Sequence, residues 1–401
     1  MYTRSPWFYK IQGAGAEVTA ELKIKIISGT KSAVWPGSED YTLSGTMIDI
    51  GGGTNQINFE VAELIKDYIK TGFNPTDGSY TQTAANNFAN LWVDFKHETF
   101  NAAGGVVNTV TSLGNMAWGG FLNYSQGSQS NQREAQANIP LLMSNRHILI
   151  PYNEQVRVPV DVRNIDEITF WCNGQLVAEH NGVSGLTQSE DAVKYYLEGS
   201  NEGRWAQRVL ADGGTIDPNV CTDHLFCCSD SSCITDIYVV KKDIATHIKV
   251  EQIREYKYTP YKIVFINRYG VLQDLWMFKK SITGIKTTDK LYKRNLIKND
   301  AWGSTSDYDL TEHQIRVLQL NGSESWIMNT GFYPEDNNVV FKELLLSEKI
   351  WLEIDSEDDG KGLYPVNIIE SSLSFKTNLN DRLINYVFSF NASFDAIQNI
   401  R

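Results

Sequence analysis

The chain has 401 residues, more than one ordinary domain holds, and a formal net charge of −12 from 36 basic and 48 acidic side chains. Hydrophobic residues make up 42% and charged ones 21%, enough apolar content for packed cores and against global disorder. A chain this acidic is poorly suited to gripping phosphate backbones over a broad face, so nucleic acid is not an expected partner.

Aromatic residues reach 11%, and with plentiful Val, Ile, Thr and Asn they point to β-structure. The opening MYTRSPWFYKIQG holds no apolar core of signal-peptide length, and no run long enough to span a membrane follows, so synthesis in a cytosol is expected. In residues 18–27, Val18, Ala20, Leu22, Ile24 and Ile26 alternate with polar side chains, the pattern of a half-buried strand. A second strand is expected around Tyr41–Leu43. Val61, Leu64, Ile65, Tyr68 and Ile69 recur at helical spacing and predict a helix over 59–70 with Asn58 as its N-cap. Residues 72–88 read as a loop, and Leu91, Val93 and Phe95 mark a strand. The Gly-rich stretch that follows, to about residue 125, reads as loop, and 125–138 as a linker.

Beyond residue 146, HILIPYNEQVRVPVDV suggests two strands, and EITFWCNGQLVAEH places Asn173-Gly174 at a two-residue hairpin turn. Residues 189–199 and 204–214 are expected as short helices. From residue 235, TDIYVVKK, HIKVEQI, PYKIVFIN and VLQDLWMF predict strands, with a turn at 267–270. A short helix over 341–349, a strand at 350–354, an acidic turn and a long C-terminal strand around 384–394 complete the chain. The expected fold is mainly β: two or three β-sandwich-like domains with a few short helices and long loops, divided as 1–140, 141–250 and 251–401.

Chemical motifs are few. Four of five cysteines crowd into CTDHLFCCSDSSC, where Cys221, His224, Cys227 and Cys233 are the weak candidates for a metal site. The gaps match no zinc ribbon, and Cys227 and Cys228 are adjacent; reduced thiols are favoured, with metal or disulfide as alternatives. GAGAEV (13–18) and IDIGGGTNQ (48–56) lack the remainder of a nucleotide fingerprint and read as glycine turns. Asp355, Glu357 and Asp359 imitate the start of a calcium loop, but its twelfth position is Val366. No metal-protease helix and no nucleophile elbow occurs, so neither enzyme activity nor a cofactor is expected. The stretch from Lys279 to Lys298 is basic, with Lys279 and Lys280 at its start, and suits a solvated loop or an acidic partner. Trp35, Trp118 and Trp302 sit in Gly- or Ser-rich contexts and are the candidate exposed aromatics.

KYTPYKIVFINRYGVLQDLWMFKKS (257–281), NTGFYPEDNNVVFKELLLSEKIWLEI (329–354) and the ending from Leu363 to Arg401 resemble virion structural proteins of tailed bacteriophages, in particular a tail-associated group. The opening RSPWFYKI, with FEVAELIKDYI further on, resembles the first domain of such proteins. The resemblance covers about half the chain and none of the central region. It implies a β-rich tail or neck subunit in a symmetric homo-oligomeric ring within the virion, touching other virion proteins, with segments 102–137 and 281–308 as arms. A receptor- or glycan-binding module on the tail is the alternative, and a surface-polymer hydrolase a more distant one.

Overall fold

The computed structural model describes residues 1–27, 32–69, 90–127, 141–152, 154, 156–161, 166–181, 193–198, 234–241, 244–255, 257–297, 308–356, 360–370, 374 and 383–397. The N-terminal part holds β1 (Phe8–Ala14), β2 (Glu17–Ile27), β3 (Tyr41–Thr46), β4 (Ile48–Asp49), β5 (Thr54–Glu60), α1 (Ala62–Lys66), β6 (Asn90–Asn101) and β7 (Val106–Trp118). Sheet β3-β2-β6-β7 faces sheet β1-β5-β4. Ala20, Leu22 and Ile24 are buried against Ile11, Val93 and Phe95, while alternate residues of β2 stay partly exposed. This is the layering of a small β-sandwich.

The helix is shorter than its periodicity suggests. Phe59 and Glu60 finish β5, and Glu60 rather than Asn58 holds the helix start, its carboxylate accepting from the Ala62 N–H at 3.0 Å. The Gly-rich stretch expected as loop is largely strand. β7 pairs with β6 from Trp118 to Val106, and Gly104 (φ +81°) makes the turn between them. The three glycines at 51–53 all have positive φ, as the turn they were expected to form requires.

The middle holds β8 (His147–Pro151), β9 (Val156–Asp161), β10 (Glu167–Cys172), β11 (Gln175–Asn181), β12 (Val193–Glu198), β13 (Asp236–Lys241) and β14 (Ile244–Ile253). Strand order is β11-β10-β13-β14-β8, antiparallel except for the β14–β8 pair. Asn173 (φ +47°) and Gly174 (φ +84°) form the expected β10–β11 turn. The helix expected over 189–199 is corrected: VKYYLE is strand β12, antiparallel to β9, as its β-branched and aromatic content favours once an edge is available. The expected helix over 204–214 lies outside the described residues.

The last part holds β15 (Tyr261–Ile266), β16 (Leu272–Met277), β17 (Ile282–Lys293), β18 (Ile315–Asn329), β19 (Tyr333–Pro334), α2 (Asn338–Leu345), β20 (Ile350–Ser356), β21 (Gly360–Ile368), β22 (Leu383–Ile384) and β23 (Val387–Ala392). Seven strands form one sheet in the order β16-β15-β20-β21-β23-β18-β17. The long C-terminal strand is broken at Asn385–Tyr386: β22 pairs with β19, and β23 joins the large sheet. The expected break near residue 250 falls inside β14. A single buried cluster runs from Leu141 to Ala392, uniting Ile168, Phe170 and Val239 with Phe265, Trp326, Phe341 and Phe390. Burial therefore joins the expected central and C-terminal domains around one core, while the N-terminal sandwich keeps its own. The observed fold is mainly β, with two short α-helices among the described residues.

Candidate functional site

Two surfaces stand out, and neither lies in a deep cleft. The first is the β17–β18 hairpin, which pairs from Ile282↔Ile327 to Lys293↔Ile315 with a bulge after Lys290. At its root β18 also pairs with β23, and Trp326 and Met328 are buried in the main core. Outward of Ser325 the one strand paired with β18 among the described residues is β17, Ala396 and Ile397 touching it at Gly322 and Asn321, and every residue of β17 is exposed.

Residues directly opposite each other in an antiparallel pair share a face. The face carrying Trp326 therefore continues along Ile285 and Leu320 and, past Leu318 at the bulge, along Leu291 and Val317. Leu318 is 68% and Ile285 64% exposed. The opposite face carries Lys286, Lys290 and Gln319, with Tyr292 and Arg316 near the tip. The described arm residues 282–297 and 308–329 carry five basic and four acidic side chains, a net +1 on a chain of −12. On the β17 side alone, over 282–297, four basic residues face one acidic. Glu312 ties the two strands by ion pairs to Arg294 and to Arg316 (3.1 Å).

Of the residues singled out from sequence, Lys279 and Lys280 stand at the root of this arm. Lys279 pairs with Glu255, and the hydrogen bond from its ammonium holds the Glu255 carboxyl below the usual carboxylate range. Lys280 is exposed. The segment expected as an arm over 281–308 is thus a strand of a paired hairpin through Lys293 rather than a loop. Threonines, a glycine and lysines without apolar alternation hid it, because neither face is buried.

Trp118 is not a free platform. It packs with Tyr2, Leu142, Tyr269 and Val271 where the N-terminal sandwich meets the rest of the chain. The Phe121 N–H donates to the Arg268 carbonyl at 2.7 Å, and a Cβ on Gly120 would fall 2.3 Å from that oxygen. Arg4 and Lys66 both reach Glu348 across the same seam, at 3.0 and 2.9 Å. Trp35 is half-buried in the segment between β2 and β3. Trp302, Cys221, His224, Cys227 and Cys233 lie outside the described residues. Among the described residues no three His, Cys, Asp or Glu side chains gather as a metal site. Cys172, which lies outside the cysteine cluster, is disulfide-bonded.

The second surface is the outer face of sheet β11-β10-β13-β14-β8. Ile168, Phe170, Ile237, Val239 and Ile248 point into the core. The alternate residues Glu167, Thr169 and Trp171 of β10, Asp236 and Tyr238 of β13, and His247 of β14 point outward. Register places Trp171 opposite Asp236, Thr169 opposite Tyr238, and Tyr238 opposite His247. The Trp171 and Tyr238 rings stand nearly perpendicular, centroids 6.2 Å apart, and Tyr238 stacks on His247 at 4.9 Å. The indole N–H donates to Thr169 Oγ1 at 2.9 Å. Asp236 bonds to His247 Nε2 at 2.7 Å and accepts from Thr235 Oγ1 at 2.8 Å. Burial pushes the Asp236 carboxyl up, but those two hydrogen bonds, with the charges of His247 and Lys249, hold it below the usual carboxylate range. An open hollow of about 440 Å³ lies over this face between Gly174 and Ala245. Sequence reasoning passed over these residues. The available signal was a Trp and a Tyr on the outward positions of strands whose inward positions are fully apolar.

No family model matches the chain. No curated protein sequence matches it either. Among solved structures, the fibronectin(III)-like modules of Clostridium thermocellum CbhA are similar over 63% of this chain and 90% of that chain, at 8% identity and a TM-score of 0.14. A likeness at that score carries no argument; the fold assignment rests on the strand pairing itself.

Proposed function

We propose that this chain is a non-catalytic structural subunit of a bacteriophage virion, a tail or neck component that assembles into a symmetric ring, with the β17–β18 arm lying on the neighbouring copy. The observation that carries the assembly role is the arm itself. A two-stranded ribbon is marginal in water without a third strand or a hydrophobic cover. This one projects a face continuous with the core, bearing Ile285, Leu318, Leu320 and Leu291, which stay 51–68% exposed although Ala396 reaches the backbone of Gly322 beside Ile285. Contiguous exposed apolar surface of this kind marks an interaction site.

Charge argues for a second copy as the cover. The arm is net basic, whereas the remainder of the chain is strongly acidic, so arm and body of two copies attract. The lysines along β17 also discourage uncontrolled strand addition at its free edge. An arm that meets a different patch on its neighbour makes a head-to-tail contact, which closes into a ring when the rotation permits.

The virion assignment is supported by the resemblance of 257–281, 329–354 and 363–401 to tail-associated proteins. The described parts of these stretches supply β15, β16, β19, α2, β22 and β23 and most of β20 and β21, the body from which the arm projects. Mass spectrometry of purified particles tests it: the chain is expected at a copy number that is a multiple of the ring symmetry, and its absence from particles overturns the assignment.

A further inference from the structure

The assembly role leaves the outer face of the five-stranded sheet unused. We propose that this face is a saccharide-binding site, in which a neutral oligosaccharide lies along the trough between β10 and β13, with a pyranose ring against Trp171 and its hydroxyls on Asp236 and Glu167.

The first argument is preorganisation. The Trp171 indole is fixed by its N–H bond to Thr169, and Thr169 is itself buried. Because that N–H is already used, the indole offers a ligand its π-face and no donor. Tyr238 is braced from the β14 side by the His247 ring, and Asp236 is held by His247 and Thr235. Side chains locked this way lose little freedom on binding. The hollow they border is open, and its volume lies in the range of small-ligand sites.

The second argument is chemistry. A pyranose presents an apolar face of C–H groups and an edge of hydroxyls, and it needs an aromatic plane beside hydrogen-bond acceptors. Trp171 supplies the plane, with Tyr238 as a wall at 83°. Asp236 sits directly across from Trp171 and Glu167 at the far end of the trough, each an acceptor when ionised. From Trp171 to Glu167 is four residues of strand, about 13 Å, the span of a short oligosaccharide rather than a single sugar.

The third argument is exclusion. Among the described residues the hollow is lined by two carboxylates and no Lys or Arg, so phosphates, nucleotides and acidic sugars are disfavoured. A quaternary ammonium also suits aromatic walls. Here, however, the third ring does not close a cage. It is an imidazole on the far side of Tyr238, ion-paired to Asp236, and its positive charge when protonated opposes a bound cation.

The test uses the full chain on an array of neutral hexose and N-acetylhexosamine oligosaccharides, with sialyllactose and choline as competing probes in calorimetry. Binding to at least one neutral oligosaccharide is expected. A loss of tenfold or more is expected in Trp171→Ala and Tyr238→Ala, and of several-fold in the milder Glu167→Gln, whose thermal midpoint should match the wild type. An arm variant carrying Ile285→Ser, Leu318→Ser and Leu320→Ser should bind sugar as the wild type does, which separates this site from assembly. No bound neutral glycan, binding unaltered by all three site variants, or preference for choline or sialyllactose would each overturn the proposal.

Discussion

Strand β18 is two different things along its length. At Trp326 and Met328 it is core, 3% and 0% exposed, flanked by β17 on one side and β23 on the other. A few residues earlier, at Leu318 and Leu320, the same alternation points side chains of similar character into open surroundings, 68% and 51% exposed. Composition does not separate the two ends; the presence of a neighbour does. The buried end specifies the fold, and the exposed end is where the proposed second copy would lie.

The sharpest break between the two ends is in stability. Trp326→Ala should destabilise the isolated chain by about 3–5 kcal/mol through lost burial and a residual cavity, whereas the triple arm variant should stay within about 1.5 kcal/mol of wild type, at up to 0.5 kcal/mol per surface position. Denaturant unfolding of both checks this, and a large loss in the arm variant would mean that the arm packs on its own chain. Next in size is the seam that joins the N-terminal sandwich to the body. Gly270 has φ +81°, and a Cβ there would meet the backbone of Gly119 and Gly120 at 2.5 Å. Gly270→Ala should cost about 1–3 kcal/mol as strain and overpacking and should increase hydrogen exchange along residues 118–121.

A smaller effect depends on pH. Glu343 of α2 is 3% exposed; burial raises its pKa above the ordinary 4.5, against the bond from Ser144 and the charge of Arg268. Its folded pKa therefore exceeds its unfolded one. The stability linked to its proton is full below about pH 4.5 and is lost as pH rises through the folded value. Between pH 4.5 and 8 the thermal midpoint of wild type should fall relative to Glu343→Gln, and parallel curves would contradict this. Smallest of all, Lys66→Ala removes one half-exposed ion pair with Glu348 and should cost about 0–1 kcal/mol.

Much of the fold was legible because burial on one face leaves alternation in the sequence. Ala20, Leu22 and Ile24 announced β2, and Asn173-Gly174 announced the turn between β10 and β11. The arm was not legible as strand, since a ribbon exposed on both faces carries no such pattern. β12 was mistaken for a helix because its pairing with β9 comes from more than thirty residues away. The aromatic face was hidden for a related reason: Trp171 and Asp236 are neighbours only through register, 65 positions apart in the chain. EITFWC alone reads as one buried run.

The central claim is that a second copy covers the arm. Native mass spectrometry of the purified chain and of the Ile285→Ser, Leu318→Ser, Leu320→Ser variant, over a range of concentrations, tests it most directly. A closed oligomer of defined copy number is expected for the wild type and monomer for the variant, the monomeric forms differing in stability by no more than about 1.5 kcal/mol. A wild type that stays monomeric at all concentrations, or a variant that assembles as the wild type does, would contradict it.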